Sequence, residues 1–258
     1  MTAPSLDDDL RLALELADIA DAITAQAFRR SDLRVETKPD LTPVTEADRG
    51  VEQALREHIE AMRPGDAVLG EEFGSSGDAA RRWYLDPIDG TKNFVRGIPV
   101  FATLIGLEQD GEIVAGVCSA PALHARWWAA RGAGAFADGR RIHVSRVASL
   151  GDAQLSYDSV PGFEAEGMGE RFLALARRCW RTRGFGDFWS HVLVAEGAVD
   201  IAVEPVVSPW DLAPLKVIVE EAGGRFTDLS GAARIDGGSA VSSNGVLHDA
   251  TLAALARE

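Results

Sequence analysis

The sequence predicts a chain of mixed α and β structure, with α-helices covering an antiparallel sheet in its first half and α/β packing in its second half. Three observations support this fold class. Long amphipathic segments stand near the N-terminus, short apolar segments with a hairpin turn follow them, and helix and strand patterns then alternate. With 258 residues and 46% hydrophobic content, the chain can bury one large core or two closely packed halves.

The first half is predicted to begin with two helices and to continue as a sheet. The segment 6–30 spaces its leucines and alanines at helical intervals and carries acidic residues in its first turn, where they complement the helix dipole. A second helix fits 45–62, with Thr45 as its N-cap. Apolar strands follow at 67–70, 82–86, 101–109, 112–120 and 125–132. Because "QDGE" (109–112) has the composition of a hairpin turn, we expect an antiparallel sheet.

Helix and strand patterns alternate in the second half of the chain. Helices are predicted at 169–180, 187–197 and 210–223, and strands at 182–185, 199–205 and 224–228. This alternation is typical of α/β packing. We therefore predict an N-terminal α+β subdomain over 1–148 and a smaller C-terminal α/β subdomain over 149–258.

The charge balance limits the partners of the protein. The 40 acidic and 26 basic side chains give a net charge of −14, which repels nucleic acids and anionic membranes and means that an anionic substrate needs a local cation. Cys118 and Cys179 lack a CxxC spacing and are expected to stay reduced. The N-terminal segment is acidic where a signal peptide is basic, and no run of 18 apolar residues occurs. We therefore expect a cytoplasmic protein with no nucleic-acid or membrane partner.

Four acidic side chains stand at predicted ends of strands or helices. Glu71 follows the first apolar strand of the sheet, and Asp86 and Asp89 follow the second. Asp211 begins the last predicted helix of the alternating half. Open α/β sheets build their sites at strand ends, although each carboxylate taken alone also fits an ordinary turn or helix start.

The segment "DPIDGT" (86–91) combines two carboxylates with a stiff backbone. Its proline fixes φ and biases the preceding residue toward an extended conformation, and its glycine permits a positive φ after the second aspartate. Asp86 and Asp89 can therefore face one hard cation, with the carbonyl of Ile88 as a further ligand. Magnesium fits better than an EF-hand calcium loop, whose twelfth position is a glutamate where this chain has Gly97.

The residues after this pair indicate a phosphate group. Gly90 and Thr91 open "GTKNF" with residue types found at helix starts, where free N–H groups and the helix dipole bind anions. Lys92 can add a positive charge, and a solvated surface lysine is the alternative.

Three ordered segments, "GEEFG" (70–74), "DPIDGTKNF" (86–94) and "WDLAP" (210–214), resemble the inositol monophosphatase-like phosphatases, and the resemblance covers essentially the whole chain. It implies a layered αβαβα sandwich, usually a homodimer, with an active site between its two halves that holds two or three Mg²⁺ ions. The metal ligands that it implies are Glu71, Asp86, the backbone carbonyl of Ile88, Asp89 and Asp211. It also pairs Asp48 with Thr91 to orient a water molecule.

Residues and resemblance together predict a magnesium-dependent hydrolase of small phosphate monoesters. Bound cations offset the repulsion between the carboxylates and the ester and activate a water molecule that attacks phosphorus in line. The predicted catalytic residues are Asp48, Glu71 and Thr91. The predicted substrate-binding residues are Gly90, Thr91, Lys92, Gly186, Asp187 and Glu204.

The segment 184–214 most resembles the histidinol-phosphate phosphatase branch of that family. The resemblance places Gly186, Asp187 and Glu204 where the inositol enzymes read substrate hydroxyls. Asp187 departs from the small neutral or hydroxyl side chain usual there, and Lys92 departs from a common threonine. Because two carboxylates suit a cationic amine better than a neutral polyol, histidinol phosphate is the expected substrate.

Other functions remain open on the sequence alone. Inositol 1-phosphate, fructose 1,6-bisphosphate and adenosine 3′,5′-bisphosphate are alternative substrates of the same metal cluster. A catalytically silent metal-binding regulator is the alternative from another class of protein. Against it, a site that has lost its activity has no physical reason to keep mutually repelling carboxylates close together. His191 lies on a predicted apolar helix, and we expect it to be structural.

Overall fold

The computed structural model describes residues 5–39 and 42–256 of the chain. The α-helices of this part are α1 (Leu6–Ala27), α2 (Glu46–Met62), α3 (Thr91–Val95), α4 (Val160–Ala165), α5 (Gly169–Arg178), α6 (Asp187–Ala195), α7 (Pro209–Glu221) and α8 (His248–Leu255). Five long helices were predicted, and each is found with its ends shifted by at most three residues. None of the described helices has the length and apolarity needed to span a bilayer.

The strands form three sheets. The small sheet pairs β1 (Val35–Thr37) antiparallel with β2 (Pro43–Thr45). The large sheet contains β3 (Ala67–Gly70), β4 (Gly74–Ser76), β5 (Arg81–Asp89), β6 (Ala102–Gln109), β7 (Glu112–Ala120), β8 (Ala125–Ala130), β9 (Gly134–Ala137) and β10 (Arg140–Ile142). The third sheet contains β11 (Gln154–Tyr157), β12 (Arg181–Arg183), β13 (Ile201–Glu204), β14 (Arg225–Thr227) and β15 (Ala240–Ser243).

The predicted antiparallel character of the large sheet is confirmed, with one exception. Its strand order is β10-β9-β8-β7-β6-β5-β3-β4, and only the β3–β5 pair is parallel. The predicted hairpin is present, with Asp110 and Gly111 both at positive φ between β6 and β7. In the third sheet β12, β11 and β13 are parallel, whereas β15 inserts antiparallel between β13 and β14.

The elements stack in five layers, which confirms the αβαβα sandwich. One apolar cluster joins α1 and α2 to the large sheet, with Leu16, Leu55 and Trp83 fully buried in it. A second cluster joins the other face of that sheet to α6 and α7, which also pack on the third sheet. A third cluster joins the outer face of the third sheet to α4, α5 and α8 around Phe163 and Phe172. Burial on both faces of each sheet supplies most of the apolar driving force for this arrangement.

Helix α7 lies unusually close to the large sheet, at a pair of facing glycines. Gly106 on β6 and Gly116 on β7 are direct cross-strand partners. A Cβ at Gly106 would lie 2.7 Å from the Cβ of Ala213, and one at Gly116 would lie 2.6 Å from the Cα of Pro214. Since real atoms do not approach so closely, only glycine permits this packing. The close approach holds the N-terminal end of α7 over the ends of β5 and β6.

Candidate active site

Asp86 and Asp89 lie within strand β5, so the predicted end of that strand at Asp86 is wrong. The strand pairs Asp86 with Leu104 and Asp89 with Ala102, so an advance of three residues along β5 corresponds to an advance of two residues along β6. This extra residue is a β-bulge. In a regular strand residues three apart point to opposite faces, and the bulge instead brings both carboxylates to the same side. Both side chains are buried, with Asp86 2% and Asp89 9% exposed.

Glu71 follows β3 directly, as predicted, and lies beside Asp86 because β3 and β5 run parallel. The backbone N–H of Glu71 donates to the carbonyl of Leu85 at 3.1 Å, and burial and the charge of Glu71 raise the pKa of the Asp86 carboxyl. Lys38, directly after β1, places its Nζ 2.7 Å from Oε1 of Glu71 and 2.5 Å from Oε1 of Glu72. Burial lowers the pKa of Lys38, but the bonds to both glutamates outweigh burial and raise it.

Asp211 reaches the bulge from the first turn of α7. Its Oδ2 accepts a hydrogen bond from the backbone N–H of Ser208 at 2.8 Å, so it also has the helix-start role that its position predicts. Asp86, Asp89 and Asp211 each offer an oxygen atom, and these atoms lie within 4.8 Å of one another. Asp211 is distant from Asp86 and Asp89 in the sequence, but the fold brings it to them. Glu71 lies next to this group, with one oxygen engaged by Lys38.

The carboxylates of this cluster repel one another in a region shielded from water. Burial, followed by the charges of Glu71, Asp89 and Asp211, raises the pKa of Asp86 well above its usual value. Burial and then Asp187 and Asp211 do the same for Asp89, and burial above all raises the pKa of Asp211 to about 7. Buried charges are stable only when they are paired or coordinate a metal. An all-oxygen donor set of this kind fits a hard divalent cation.

Asp48 and Thr91 meet beside the cluster. Asp48 is fully buried in the first turn of α2, where its Oδ2 accepts from the backbone N–H and the hydroxyl of Thr45 at 2.8 and 2.5 Å. This capping box confirms Thr45 as the N-cap. The other oxygen of Asp48 lies 3.3 Å from the hydroxyl of Thr91, which donates to the carbonyl of Ile88 at 2.9 Å. The fold therefore brings together Asp48, Thr91 and the Ile88 carbonyl.

Gly90 begins the short helix α3 with a left-handed conformation. Its φ is +81°, and a Cβ there would lie 3.0 Å from the carbonyl oxygen of Val100. Among the described residues, no side chain caps the N-terminal N–H groups of α3. Lys92 is exposed, and its ammonium makes no hydrogen bond or ion pair with the residues that the structure describes. Its charge still acts on Asp187, whose pKa it lowers against larger opposing effects.

Asp187 and Glu204 are a second pair of acidic side chains beside the cluster, and the charges of both act on Asp89. Gly186 and Asp187 both have positive φ, +70° and +49°, and the turn places the Asp187 carboxylate near the start of α3, with Oδ2 3.4 Å from Nδ2 of Asn93. The next N–H, that of Phe188, donates to Oδ2 of Asp89 at 2.6 Å. Burial, Glu204 and another aspartate raise the pKa of Asp187 to about 7.

His191 is fully buried on α6, and its imidazole lies beside Glu204. Its Nδ1 lies 2.6 Å from Oγ of Ser242, and its Nε2 lies 3.3 Å from Oε2 of Glu204. The predicted apolar environment of this helix is confirmed, because α6 is mostly buried between the two larger sheets. The contact with Glu204 depends on β13 and could not be inferred from the helix pattern.

Sequence reasoning missed Glu52, whose carboxylate supports the turn that carries Glu71. Glu52 is fully buried and accepts from the N–H groups of Glu72 and Phe73 at 2.7 and 3.2 Å and from Nε of Arg56 at 2.8 Å. A signal was present in the sequence, since Glu52 falls four residues after Asp48 on the buried face of α2.

Comparison with known proteins gives a consistent result. The model of the inositol monophosphatase family matches residues 5–258. The chain is 59% identical over 254 residues to a histidinol-phosphatase of Mycobacterium tuberculosis, covering 96% of this chain and 98% of that protein. It is 52% identical over 258 residues to a histidinol-phosphatase of Streptomyces coelicolor, covering 96% and 97%. An inositol monophosphatase structure from Zymomonas mobilis superposes with a TM-score of 0.87 at 36% identity, covering 98% and 99% of the two chains. The chain therefore belongs to the inositol monophosphatase family.

Proposed function

We propose that this protein is a magnesium-dependent histidinol-phosphate phosphatase, which converts L-histidinol phosphate and water to L-histidinol and phosphate. The observation that carries the proposal is that the site contains two groups of acidic side chains. The first is the cluster of Asp86, Asp89 and Asp211, and the second is the pair of Asp187 and Glu204. The first suits a cation that binds phosphate, and the second suits a substrate that carries its own positive charge. The identity to two histidinol-phosphatases supports the same substrate.

The residues proposed to hold two or three Mg²⁺ ions are Glu71, Asp86, the carbonyl of Ile88, Asp89 and Asp211. When bound there, Mg²⁺ supplies Lewis-acid chemistry that lowers the pKa of water and offsets the charge of the leaving oxygen. The positions of the carboxylates would determine where the charge of the cation lies. The bulge of β5 and the close packing of α7 on the sheet set those positions.

Asp48 and Thr91 are proposed to orient the attacking water. The hydroxyl of Thr91 donates to the Ile88 carbonyl or to Asp48, which leaves its lone pairs free to accept a hydrogen bond from the water. Attack in line would form the new P–O bond as the ester P–O bond breaks. The water releases one proton to solvent and the leaving oxygen takes one up from solvent, so the products are the alcohol and hydrogen phosphate. The backbone N–H groups at Gly90 and Thr91 are proposed to bind the phosphate oxygens.

Asp187 and Glu204 are proposed to bind the ammonium group of histidinol phosphate. An Oε1 atom of Glu204 is buried with no hydrogen-bond partner among the described residues, so it can accept from a ligand. Asp187 holds a conformation that L-residues seldom adopt, and its turn places the carboxylate near the start of α3. Charge-assisted hydrogen bonds in this buried region favour a cationic amine over a neutral hydroxyl.

Phosphate release from four esters tests this proposal: histidinol phosphate, inositol 1-phosphate, fructose 1,6-bisphosphate and adenosine 3′,5′-bisphosphate, each with and without Mg²⁺. We expect Mg²⁺-dependent turnover with histidinol phosphate as the best substrate. Asp187→Asn keeps a residue type that tolerates positive φ but removes the charge. It should lower kcat/KM for histidinol phosphate about 10- to 100-fold, the value of a hydrogen bond to a charged group, and change inositol 1-phosphate hydrolysis little.

The exposed Asp78 supplies a matched control, since Asp78→Asn removes the same charge far from the site. A preference for inositol 1-phosphate that Asp187→Asn leaves unchanged would favour the inositol-1-monophosphatase alternative. Absence of Mg²⁺-dependent release from every ester would favour a catalytically silent metal-binding regulator.

We also propose that the protein is a cytoplasmic homodimer without nucleic-acid or membrane partners. The net charge of −14 supports the exclusion of polyanionic partners. Light scattering after size-exclusion chromatography should give twice the chain mass of 27.5 kDa, and a mass equal to that of one chain would contradict the dimer.

A further inference from the structure

The carboxylate of Glu204 has mostly negative surroundings. The charge of Glu204 acts on Asp187, Asp89 and Asp211 and raises the pKa of each. Among the residues that the structure describes, the only polar side chain in contact with this carboxylate is the imidazole of His191, at 3.3 Å from Oε2. A buried carboxylate with a single polar neighbour depends on that neighbour for its orientation.

The other ring nitrogen of His191 has a clear partner. Nδ1 lies 2.6 Å from the hydroxyl of Ser242 on β15, and a hydroxyl that donates to Nδ1 leaves the ring proton on Nε2. Nε2 then faces Oε2 of Glu204. The approach of Nε2 to Oε2 is a close contact that falls short of hydrogen-bond geometry, since Nε2 is buried without a hydrogen-bond partner among the described residues. Oε1 of Glu204 is likewise buried without one.

His191 and Asp187 lie on the same face of helix α6. They are four residues apart, so His191 meets Glu204 on the side where Asp187 begins the helix. The N–H of Phe188 on the same first turn binds Asp89 at 2.6 Å. Helix α6 thus connects the metal cluster to the acidic pair.

We propose that His191 is a positioning residue for substrate specificity, which holds Oε2 of Glu204 through Nε2 and leaves Oε1 free for the cationic group of the substrate. This inference rests on the proposed function. An imidazole suits the task, because its rigid ring is held at Nδ1 by Ser242 and so keeps Nε2 in one place beside Oε2 of Glu204.

Three substitutions separate positioning from a structural role. In His191→Gln the side-chain amide reaches the position of Nε2 and keeps a polar N–H beside Oε2 of Glu204. In His191→Asn the shorter amide reaches only the position of Nδ1, so it keeps the contact with Ser242 and loses the one with Glu204. His191→Leu removes both polar contacts at similar volume. The measurements are kcat and KM for histidinol phosphate and for inositol 1-phosphate, together with Tm.

We expect His191→Asn and His191→Leu to raise KM for histidinol phosphate about tenfold, with kcat and the hydrolysis of inositol 1-phosphate nearly unchanged. His191→Gln should retain a KM close to that of the wild type. Equal losses on both esters together with a lower Tm, or an Asn variant that works better than the Gln variant, would overturn the inference. If His191→Leu does not fold, the comparison of the Asn and Gln variants decides.

Glu204→Gln distinguishes failure of this inference from failure of the proposed function. A selective rise in KM for histidinol phosphate in Glu204→Gln, without one in His191→Asn, would leave the substrate assignment intact and overturn the role of His191. No selective effect in either Glu204→Gln or Asp187→Asn would overturn the substrate assignment and, with it, the role of His191.

Discussion

Asp89 links the two groups of acidic side chains in the site. Its carboxylate belongs to the cluster with Asp86 and Asp211, and its Oδ2 accepts the N–H of Phe188 from the helix that begins with Asp187. The sequence identified Asp89 through the Pro and Gly residues around it. The bond from Phe188 joins residues 99 positions apart, and no local pattern indicates a contact of that range.

Asp89→Asn should abolish phosphate release and leave the fold intact. Loss of a ligand that positions the cation removes several kcal/mol of transition-state stabilisation, which corresponds to a fall in kcat of about a thousandfold. The amide oxygen of Asn can still accept from Phe188, and removal of a repelled buried charge should leave the Tm of the metal-free protein equal or higher. Steady-state kinetics and thermal unfolding measure both effects, with Asp78→Asn as the control. Activity within tenfold of the wild type would contradict a ligand role.

Glu52 should stabilise the turn that carries Glu71. Glu52→Ala leaves two part-buried N–H groups and the Nε of Arg56 without the acceptor that Glu52 supplies, so the free energy of unfolding should fall by about 3 kcal/mol. Glu52→Gln keeps one acceptor oxygen and should lose less. Urea unfolding measures the change, and the Mg²⁺ concentration for half-maximal activity should rise in the Ala variant. An unchanged Mg²⁺ concentration for half-maximal activity would contradict an influence of this turn on the metal site.

At the scale of elements, the long periodic segments were predictable and the short ones were not. The helices at α1, α2, α5, α6 and α7 and the strands of the β6–β7 hairpin follow from their apolar spacing. Strands of three or four residues, such as β1, β4 and β15, form because a neighbouring strand offers hydrogen bonds, and their own sequences carry little pattern. For the same reason no local pattern indicated that β5 resumes after its bulge, since Asp89 extends the strand by pairing with Ala102.

The glycine pair under α7 should control the position of Asp211. Gly116→Val places side-chain atoms where Pro214 and Val217 already lie, so α7 must move away from the sheet. Overpacking of this kind typically costs about 1–3 kcal/mol, and the displaced helix start should weaken Mg²⁺ binding. Denaturant unfolding and Mg²⁺ titration calorimetry measure the two effects. Gly111→Val, in the open hairpin turn, is a control that strains a glycine at positive φ away from the site. Wild-type Mg²⁺ affinity in Gly116→Val would refute the link between helix packing and the cluster.

At the scale of the whole molecule, the five layers bring carboxylates from separate elements to one place. Asp48 arrives on α2, Glu71 after β3, Asp89 on β5 and Asp211 on α7. Sequence and resemblance predicted the layers and the cluster, and the structure confirms both the αβαβα sandwich and the proximity of Asp86, Asp89 and Asp211. The protein therefore concentrates negative charge where an anionic ester is proposed to bind. A bound cation is needed to offset the repulsion between the carboxylates and the ester.

The stability of the metal-free protein should fall as pH rises from about 4 to about 7. The pKa values of Asp187 and Asp211 are about 7 in the folded state, above the value of about 3.9 expected in the unfolded chain. Between these values the folded state binds more protons than the unfolded state, so raising the pH favours unfolding. Mg²⁺ should reverse the trend, and at 100 times its Kd should add about 2.7 kcal/mol near pH 8 and much less near pH 5.

Urea unfolding at several pH values, with and without Mg²⁺, measures this effect. Asp211→Asn should show a shallower pH dependence in the absence of metal, because one of the titrating groups is removed. Stability that rises with pH over the same range without metal would contradict the repulsion between these carboxylates.

The anomalous scattering of Mn²⁺ in crystals of the active protein tests the central claim most directly, because Mn²⁺ prefers the same oxygen ligands as Mg²⁺. We predict peaks within about 2.5 Å of carboxylate oxygens of Asp86, Asp89 and Asp211, with Glu71 turned from Lys38 toward the metal. Peaks elsewhere, or none between these carboxylates in a protein whose phosphate release depends on Mn²⁺, would contradict the account.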